Sequence, residues 1–168
     1  MHVFVTGGTG TIGSAVVAEL LRSRHTVLAL ARSDSSAKAL ESTGAEVLRG
    51  GLSDLGILRA GAAKSGGVIS LAFGRDYRNP NALAEAIAEE GAALAVLGDE
   101  LRGSDRPIVT VSGTPWVPGR PSTESDPVPT EGPVGGRGRS VLALLARAPD
   151  VRAMAVRMPR TVHNEGKE

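Results

Sequence analysis

The chain has 168 residues, an apolar fraction of 41% and a formal net charge of +1. That length is typical of one domain and is sufficient to bury a core. The near balance of 19 basic and 18 acidic residues argues against a nucleic-acid-binding surface, and the absence of cysteine excludes disulfides and thiolate metal sites. No apolar stretch reaches the ~18 residues that span a bilayer. We therefore expect a soluble cytoplasmic protein with one domain over residues 1–168 and no metal site.

Short apolar runs typical of strands alternate with longer amphipathic runs typical of helices. The predicted strands are His2–Thr6, Thr26–Leu30, Glu46–Arg49, Val68–Phe73, Pro107–Ser112 and Val151–Arg157. The predicted helices are Ile12–Arg24, Ser35–Thr43, Leu55–Lys64, Asn81–Arg102 and Arg139–Arg147. This alternation predicts right-handed crossovers and a Rossmann-type α/β fold, in which a parallel sheet of about six strands in the order 3-2-1-4-5-6 lies between two helical layers. We expect a ligand across the carboxyl ends of strands 1 and 4.

A glycine-rich turn joins the first strand to the first helix. Two glycine spacings fit a phosphate-binding loop: Gly8, Gly10 and Gly13, or Gly7, Gly10 and Gly13 with Thr6 before them. Glycine lets the backbone approach a ligand closely, and the N–H groups of the first helical turn point at an anion. The strand before the turn and the helix after it favour the pyrophosphate of a dinucleotide over a purely structural turn.

The end of the second strand bears on the choice of cofactor. An acidic residue there binds the ribose 2′-hydroxyl of NAD, whereas an arginine accommodates the 2′-phosphate of NADP. The chain has Arg32 there, with Ser33 beside it as a second donor. We therefore predict NADP(H) as the cofactor. NAD(H) is the alternative, because a small backbone shift would bring Asp34 to the ribose, and Arg32 would then be a solvated side chain.

The chain resembles the extended or atypical short-chain dehydrogenase/reductase superfamily, and within it the NAD-dependent epimerase/dehydratase group. The match to the T-G-x-x-G-x-x-G loop of that group is residues 6–13, and three weaker matches lie further along the chain. These are the L-A-A-like segment Leu71-Ala72-Phe73, the fifth-strand segment Val111-Ser112-Gly113-Thr114 followed by Gly119, and residues 157–163, which are similar to the R-P-x-x-V-Y-G stretch after strand six. The resemblance covers nearly the whole chain.

The resemblance implies an oxidoreductase or epimerase/dehydratase acting on a small carbonyl or hydroxyl substrate. It places the substrate oxygen at Thr114, for which a structural turn hydroxyl is the alternative. It assigns the cofactor to residues of the glycine turn, the two strand ends and the loop after the third strand: Thr6, Gly7, Gly10, Thr11, Ile12, Gly13, Arg32, Ser33, Leu52, Leu71, Ala72 and Phe73. It also implies a homodimer through the 81–102 helix, whose leucines otherwise face the sheet.

The chain departs from the family pattern in three places. The Tyr-x-x-x-Lys pair is absent from residues 135–142, and Tyr77 is the only tyrosine of the chain. Arg137 or Arg139 can supply fixed positive charge there, but an arginine does not act as a base. The family has an aspartate at the position of Gly51. The alternative is that the carboxylate of Asp54 reaches the place of that aspartate. Finally, the substrate-binding region of extended members is largely absent, so a truncated member or a non-catalytic dinucleotide-binding module is the alternative.

Two further expectations concern single residues. Glu89 and Glu90 are predicted on the solvent face of the long helix. Trp116 lies in the predicted loop Gly113–Gly136, which is long enough to be functional or mobile. We expect Trp116 to cover the core, and the alternative is that it packs on a cofactor or substrate.

Overall fold

The computed structural model describes residues 1–74 and 79–159. Its strands are β1 (His2–Thr6), β2 (Thr26–Ala31), β3 (Glu46–Arg49), β4 (Gly67–Ser70), β5 (Ser104–Gly113) and β6 (Val151–Met158). Its helices are α1 (Thr11–Arg22), α2 (Asp34–Glu41), α3 (Leu55–Ala63), α4 (Pro80–Leu101) and α5 (Gly135–Leu145). Strands and helices alternate as the apolar pattern predicts.

The six strands form one sheet in the order β3-β2-β1-β4-β5-β6. Every neighbouring pair is parallel, so the predicted Rossmann-type fold is confirmed. In this register Val5 of β1 lies between Ala29 of β2 and Ile69 of β4. The order reverses between β1 and β4, and a crevice opens there at the carboxyl edge of such a sheet.

The alternation of side chains along β1 separates two layers of core. Val3 and Val5 belong to a cluster with Val17 of α1 and Leu40 of α2. Phe4, between them in sequence, belongs to a second cluster that includes Leu58 of α3, Leu97 of α4 and Leu144 of α5. Both faces of β1 are therefore covered, as is usual for a parallel sheet.

Strand β4 is shorter than predicted. It ends at Ser70 rather than Phe73, because its neighbour β1 ends at Thr6. The Leu71 N–H still donates to the Thr6 carbonyl oxygen at 3.2 Å, and the N–H groups of Leu71 and Ala72 both lie 3.2 Å from Thr6 Oγ1, which accepts from them. Residues 71–74 therefore leave the sheet directly beside the glycine turn.

Helix α5 begins four residues earlier than predicted, at Gly135 rather than Arg139. Glycine is a poor helix former, so the glycine-rich segment looks like loop in the sequence. In the folded chain these glycines allow close packing: a Cβ on Gly138 would collide with the carbonyl oxygen of Pro129, and one on Gly136 would lie 2.6 Å from Ile87 Cγ2. Tertiary packing thus overrides local propensity.

Leu94, Leu97 and Leu101 of α4 belong to the core cluster that includes Phe4 of β1 and Ile108 of β5. Leu83, Leu94 and Leu101 are all buried, so a dimer through this helix would use its other face. Among the described residues, no helix combines the length and the apolar character needed to cross a membrane.

Candidate functional site

The glycine turn between β1 and α1 adopts a conformation that larger residues would not permit. Gly7 has φ +74°, and a Cβ there would lie 2.6 Å from the backbone nitrogen of Ala72. A Cβ on Gly13 would collide with the carbonyl oxygen of Gly7, which accepts a hydrogen bond from Gly10 N–H at 3.0 Å. The spacing that shapes the turn is therefore Gly7, Gly10 and Gly13, whereas Gly8 packs towards Leu40.

The N-terminus of α1 has no side-chain cap. Its N-cap residue is Gly10, and no acidic residue lies in the first turn. By contrast, Ser33 and Asn79 accept hydrogen bonds from backbone N–H groups at the starts of α2 and α4. The first N–H groups of a helix have no partner within the helix and carry partial positive charge. Those of Thr11, Ile12 and Gly13 are therefore available to an anion.

Thr6 lies beneath the site rather than facing it. Its side chain is fully buried, and its Oγ1 lies 3.3 Å from Ser70 Oγ in addition to accepting from the two backbone N–H groups after β4. Thr6 thereby fixes the ends of β1 and β4 relative to each other. The predicted residues Leu71 and Ala72 are consequently brought against the glycine turn.

The ends of β2 and β3 form a cationic corner. Arg32 is exposed and makes no hydrogen bond or ion pair with the described residues, and its Cδ would lie 3.8 Å from a Cβ on Gly51. Arg49 donates to Asp34 Oδ1 and to the Ser33 carbonyl oxygen, each at 2.6 Å. The carboxylate of Asp34 is thus already paired with a guanidinium. Arg49 was not among the predicted site residues, although its place at the end of β3 beside β2 could have indicated it.

The loop after β3 contains a carboxylate close to Gly51, the position where the family has an aspartate. Asp54 Oδ2 accepts a hydrogen bond from Gly51 N–H at 2.7 Å, so a carboxylate does reach this turn. Leu52 is buried in the core cluster below it. A groove of about 580 Å³ opens beside this loop and is lined by the start of α3, one face of α4 and Gly74. None of the residues that line the groove belongs to the glycine turn.

A buried ion pair joins α4 to the first turn of α5. Glu90 is only 3% exposed, so its predicted place on the solvent face is wrong. Its Oε2 and Oε1 accept from Arg137 Nε and Nη2 at 2.8 and 2.6 Å. The same guanidinium lies over the ring of Phe73, with Cζ 3.9 Å from the ring centroid. The burial of Glu90 was not predicted, because the sequence of α4 alone does not show that Arg137 of α5 lies beside it.

Thr114 follows β5 at the carboxyl edge. Its backbone N–H donates to the Met158 carbonyl oxygen at 3.0 Å, which extends the pairing with β6, and its half-buried side chain makes no hydrogen bond with the described residues. Trp116 is 78% exposed, so the expectation that it covers the core is wrong. Tyr77 and residues 160–163 lie outside the described residues.

The long loop after Thr114 is pinned by one carboxylate. Asp126 accepts from both terminal nitrogens of Arg120, at 2.9 and 2.5 Å, and from the Thr123 N–H at 2.7 Å. These bonds, first those from Arg120, lower the pKa of Asp126 below its ordinary value. Arg157 of β6 in turn donates to the Thr123 carbonyl oxygen, so part of the loop is fixed to the sheet.

The model of the NmrA-like family matches residues 1–96, from β1 to within the last two turns of α4. The chain belongs to the NmrA-like family. An uncharacterized protein of Saccharomyces cerevisiae is 38% identical over 169 aligned residues, which cover 99% of this chain and 56% of that protein. An uncharacterized protein of Schizosaccharomyces pombe is 36% identical, with the same coverage. The chain thus spans about half the length of these relatives.

The fold has close counterparts among solved structures. A short-chain dehydrogenase/reductase superfamily protein from Agrobacterium tumefaciens, solved with bound NAD, has a TM-score of 0.72 and 22% sequence identity. The match covers 94% of this chain and 48% of that protein. The resemblance to this superfamily is therefore confirmed at the level of fold.

Proposed function

We propose that this chain binds a nicotinamide dinucleotide, with NADP(H) preferred over NAD(H). The observation that carries the proposal is the glycine turn, where backbone packing excludes a side chain at Gly7 and Gly13 and the N-terminus of α1 has no side-chain cap. A turn of this shape suits a pyrophosphate, because the ligand can approach the backbone and meet several N–H donors at once. The family and the fold support the same ligand.

The residues around the turn divide between the two halves of such a ligand. The N–H groups of Thr11, Ile12 and Gly13 would hold the pyrophosphate. Arg32 and Ser33 lie on the side of β2 and β3, where the adenosine half belongs, and Leu52 and the adjoining groove offer apolar surface there. Leu71, Ala72 and Phe73 lie on the other side, at the nicotinamide half. A bound dinucleotide would supply or accept a hydride at that end.

The preference for NADP(H) is supported by the charges at the cationic corner. Arg32 makes no ion pair with the described residues, so its guanidinium is available to a phosphate. The carboxylate that would favour NAD, that of Asp34, is instead held by Arg49. Two arginines and one paired aspartate leave a net positive charge, which attracts a dianionic 2′-phosphate.

Replacement of Arg32 tests this preference. We expect Arg32→Ala to weaken NADPH binding by about 1–3 kcal/mol, the scale of one charge-assisted hydrogen bond, and to leave NADH binding almost unchanged. Energy transfer from Trp116, the only tryptophan, to the reduced nicotinamide gives the dissociation constants. Arg22→Ala, at the opposite end of α1, is the matched control. Equal losses for both dinucleotides would refute the role in 2′-phosphate binding, and no binding of either would overturn the proposal itself.

A second candidate is catalytic turnover of a small carbonyl or hydroxyl substrate. It is favoured by the half-buried hydroxyl of Thr114 at the carboxyl edge, which has no hydrogen-bond partner among the described residues. We expect Thr114→Ala to lower kcat for NADPH oxidation with a responsive aldehyde or ketone by at least about tenfold, whereas Thr114→Ser retains activity. Tight NADPH binding without turnover across a panel of such substrates would instead support a non-catalytic binding module.

A further inference from the structure

Three serine hydroxyls meet at the start of α2, next to the cationic corner. Ser33 Oγ donates to Ser36 Oγ at 3.0 Å and accepts from the Ser36 N–H at 3.2 Å, so this hydroxyl is engaged in capping the helix. Ser36 is half-buried, whereas Ser35 is exposed. Among the described residues, the hydroxyl of Ser35 has only Ser33 Oγ as a partner, at 2.9 Å. Ser35 is therefore the member of this group that is most open to modification.

The charges around Ser35 favour an anion on its side chain. Ser35 is the second residue of α2, in the turn where a helix carries partial positive charge. Arg32 precedes this turn and makes no ion pair with the described residues. Arg49 donates to Asp34 Oδ1 at 2.6 Å, and Lys38 stands three positions after Ser35 on the same helix, a spacing at which side chains are neighbours. Three cationic side chains thus lie on or beside a turn whose acidic residue is Asp34.

The segment before Ser35 is suited to recognition by a protein kinase. Residues 32–35 are all exposed, and Arg32 stands three positions before Ser35. Kinases select their substrates by charge patterns of this kind. In the transfer, a bond forms between Ser35 Oγ and the γ-phosphorus of ATP, and the bond from that phosphorus to the β-phosphate oxygen breaks. ADP leaves, and the hydroxyl proton passes to the catalytic base of the kinase.

We propose that Ser35 is a phosphorylation site, and that its phosphate takes the place of the cofactor's 2′-phosphate at the cationic corner and so closes the site to NADPH but not to NADH. This inference rests on the proposed function. A phosphoserine carries a charge of about −1.5 to −2, which offsets the positive charge of the corner. It also occupies the guanidinium donors of Arg32 that a 2′-phosphate needs. NADH has no 2′-phosphate and does not depend on these donors.

The first test measures dinucleotide binding by the full chain with phosphoserine introduced at position 35 by amber suppression. We expect Ser35→phosphoserine to weaken NADPH binding at least about tenfold and to change NADH binding less than about twofold. Ser42→phosphoserine, an exposed residue at the other end of α2, is the matched control and leaves both affinities unchanged. Retained NADH binding also shows that the modified protein is folded. Unchanged NADPH affinity, or equal losses for both dinucleotides, would overturn the inference.

The second test asks whether the phosphate acts through Arg32. In an Arg32→Ala background, we expect Ser35→phosphoserine to weaken NADPH binding by less than about threefold, because the partner shared by the two phosphates is gone. The full tenfold loss in that background contradicts a common site at the cationic corner. An unmodified wild-type protein that binds neither dinucleotide contradicts the proposed function instead, so the two failures are distinct.

The third test examines Ser35 as an acceptor. The wild-type protein is incubated with ATP and a kinase that requires arginine three positions before its acceptor, and phosphopeptide mass spectrometry locates the product. We expect modification at Ser35 that saturating NADPH slows and NADH does not, because two ligands of one corner weaken each other reciprocally. No modification of Ser35, or the same rate with and without NADPH, counts against the proposal.

Discussion

Glu89 and Glu90 are neighbours with the same side chain, yet only Glu90 is buried. The difference arises because Glu90 faces α5, where Arg137 provides two hydrogen-bond donors. Arg49 and Asp34 are a similar case at the ends of β3 and β2. In each pair the sequence identifies both residues as charged, but the distance between them depends on which elements pack together.

Asp126 gives a residue-scale prediction about pH. Its pKa is lowered in the folded chain, so its bonds stabilise the protein fully above its unfolded pKa of ~3.9, and this contribution is lost as pH falls below that value. We expect Asp126→Asn to lower the Tm at pH 7 and the gap to wild type to narrow at pH 3, as measured by thermal unfolding. Glu124→Gln, an exposed residue of the same loop, is the control. A gap that stays constant between the two pH values contradicts the prediction.

At the scale of elements, boundaries were predicted well where the signal is local. β1 and β3 have the predicted ends, because a short apolar run bounded by turn residues determines them. β4 and α5 were predicted less well. The end of β4 depends on where β1 stops, and the start of α5 depends on close packing of glycines against residues 129 and 130. Neither cause is visible in the segment itself.

Two glycines of α3 provide a matched pair for an element-scale prediction. A Cβ on Gly61 would lie 2.6 Å from Phe4 Cζ, whereas one on Gly56 would meet nothing within 4 Å. We expect Gly61→Ala to destabilise the fold by about 1–3 kcal/mol through overpacking. Gly56→Ala should stabilise it by up to ~1 kcal/mol through helix propensity. Urea unfolding measures both values, and equal stability of the two variants would show that α3 does not pack on Phe4 in this way.

At the scale of the whole molecule, the site exists only in the folded chain. The proposed parts of the site are the glycine turn, the end of β2, the segment after β4 and Thr114 after β5, which are separated by up to about 110 residues in sequence. A ligand that bridges them binds the native state and not the unfolded one. Binding should therefore be measurable as global stabilisation.

We expect NADPH at 100 times its Kd to stabilise the chain by about 2.7 kcal/mol, which for a protein of this size raises the Tm by roughly 5–10 °C. Thermal unfolding with and without ligand measures the shift. Arg32→Ala at the same NADPH concentration should show a smaller one. An unchanged Tm at saturating NADPH would indicate that the ligand does not bind the native state.

The sequence by itself determined the layer architecture, the strand order and the glycine turn, because periodicity and glycine spacing act over short stretches of chain. It also identified Arg32, Phe73 and Arg137 as candidates. Only the tertiary structure decided that Asp34 is paired with Arg49, that Thr6 lies beneath the site and that Glu90 is buried against Arg137. These are contacts between elements that are distant in sequence. Their energies depend on burial and on interatomic distance, and the amino-acid sequence of each element does not specify either.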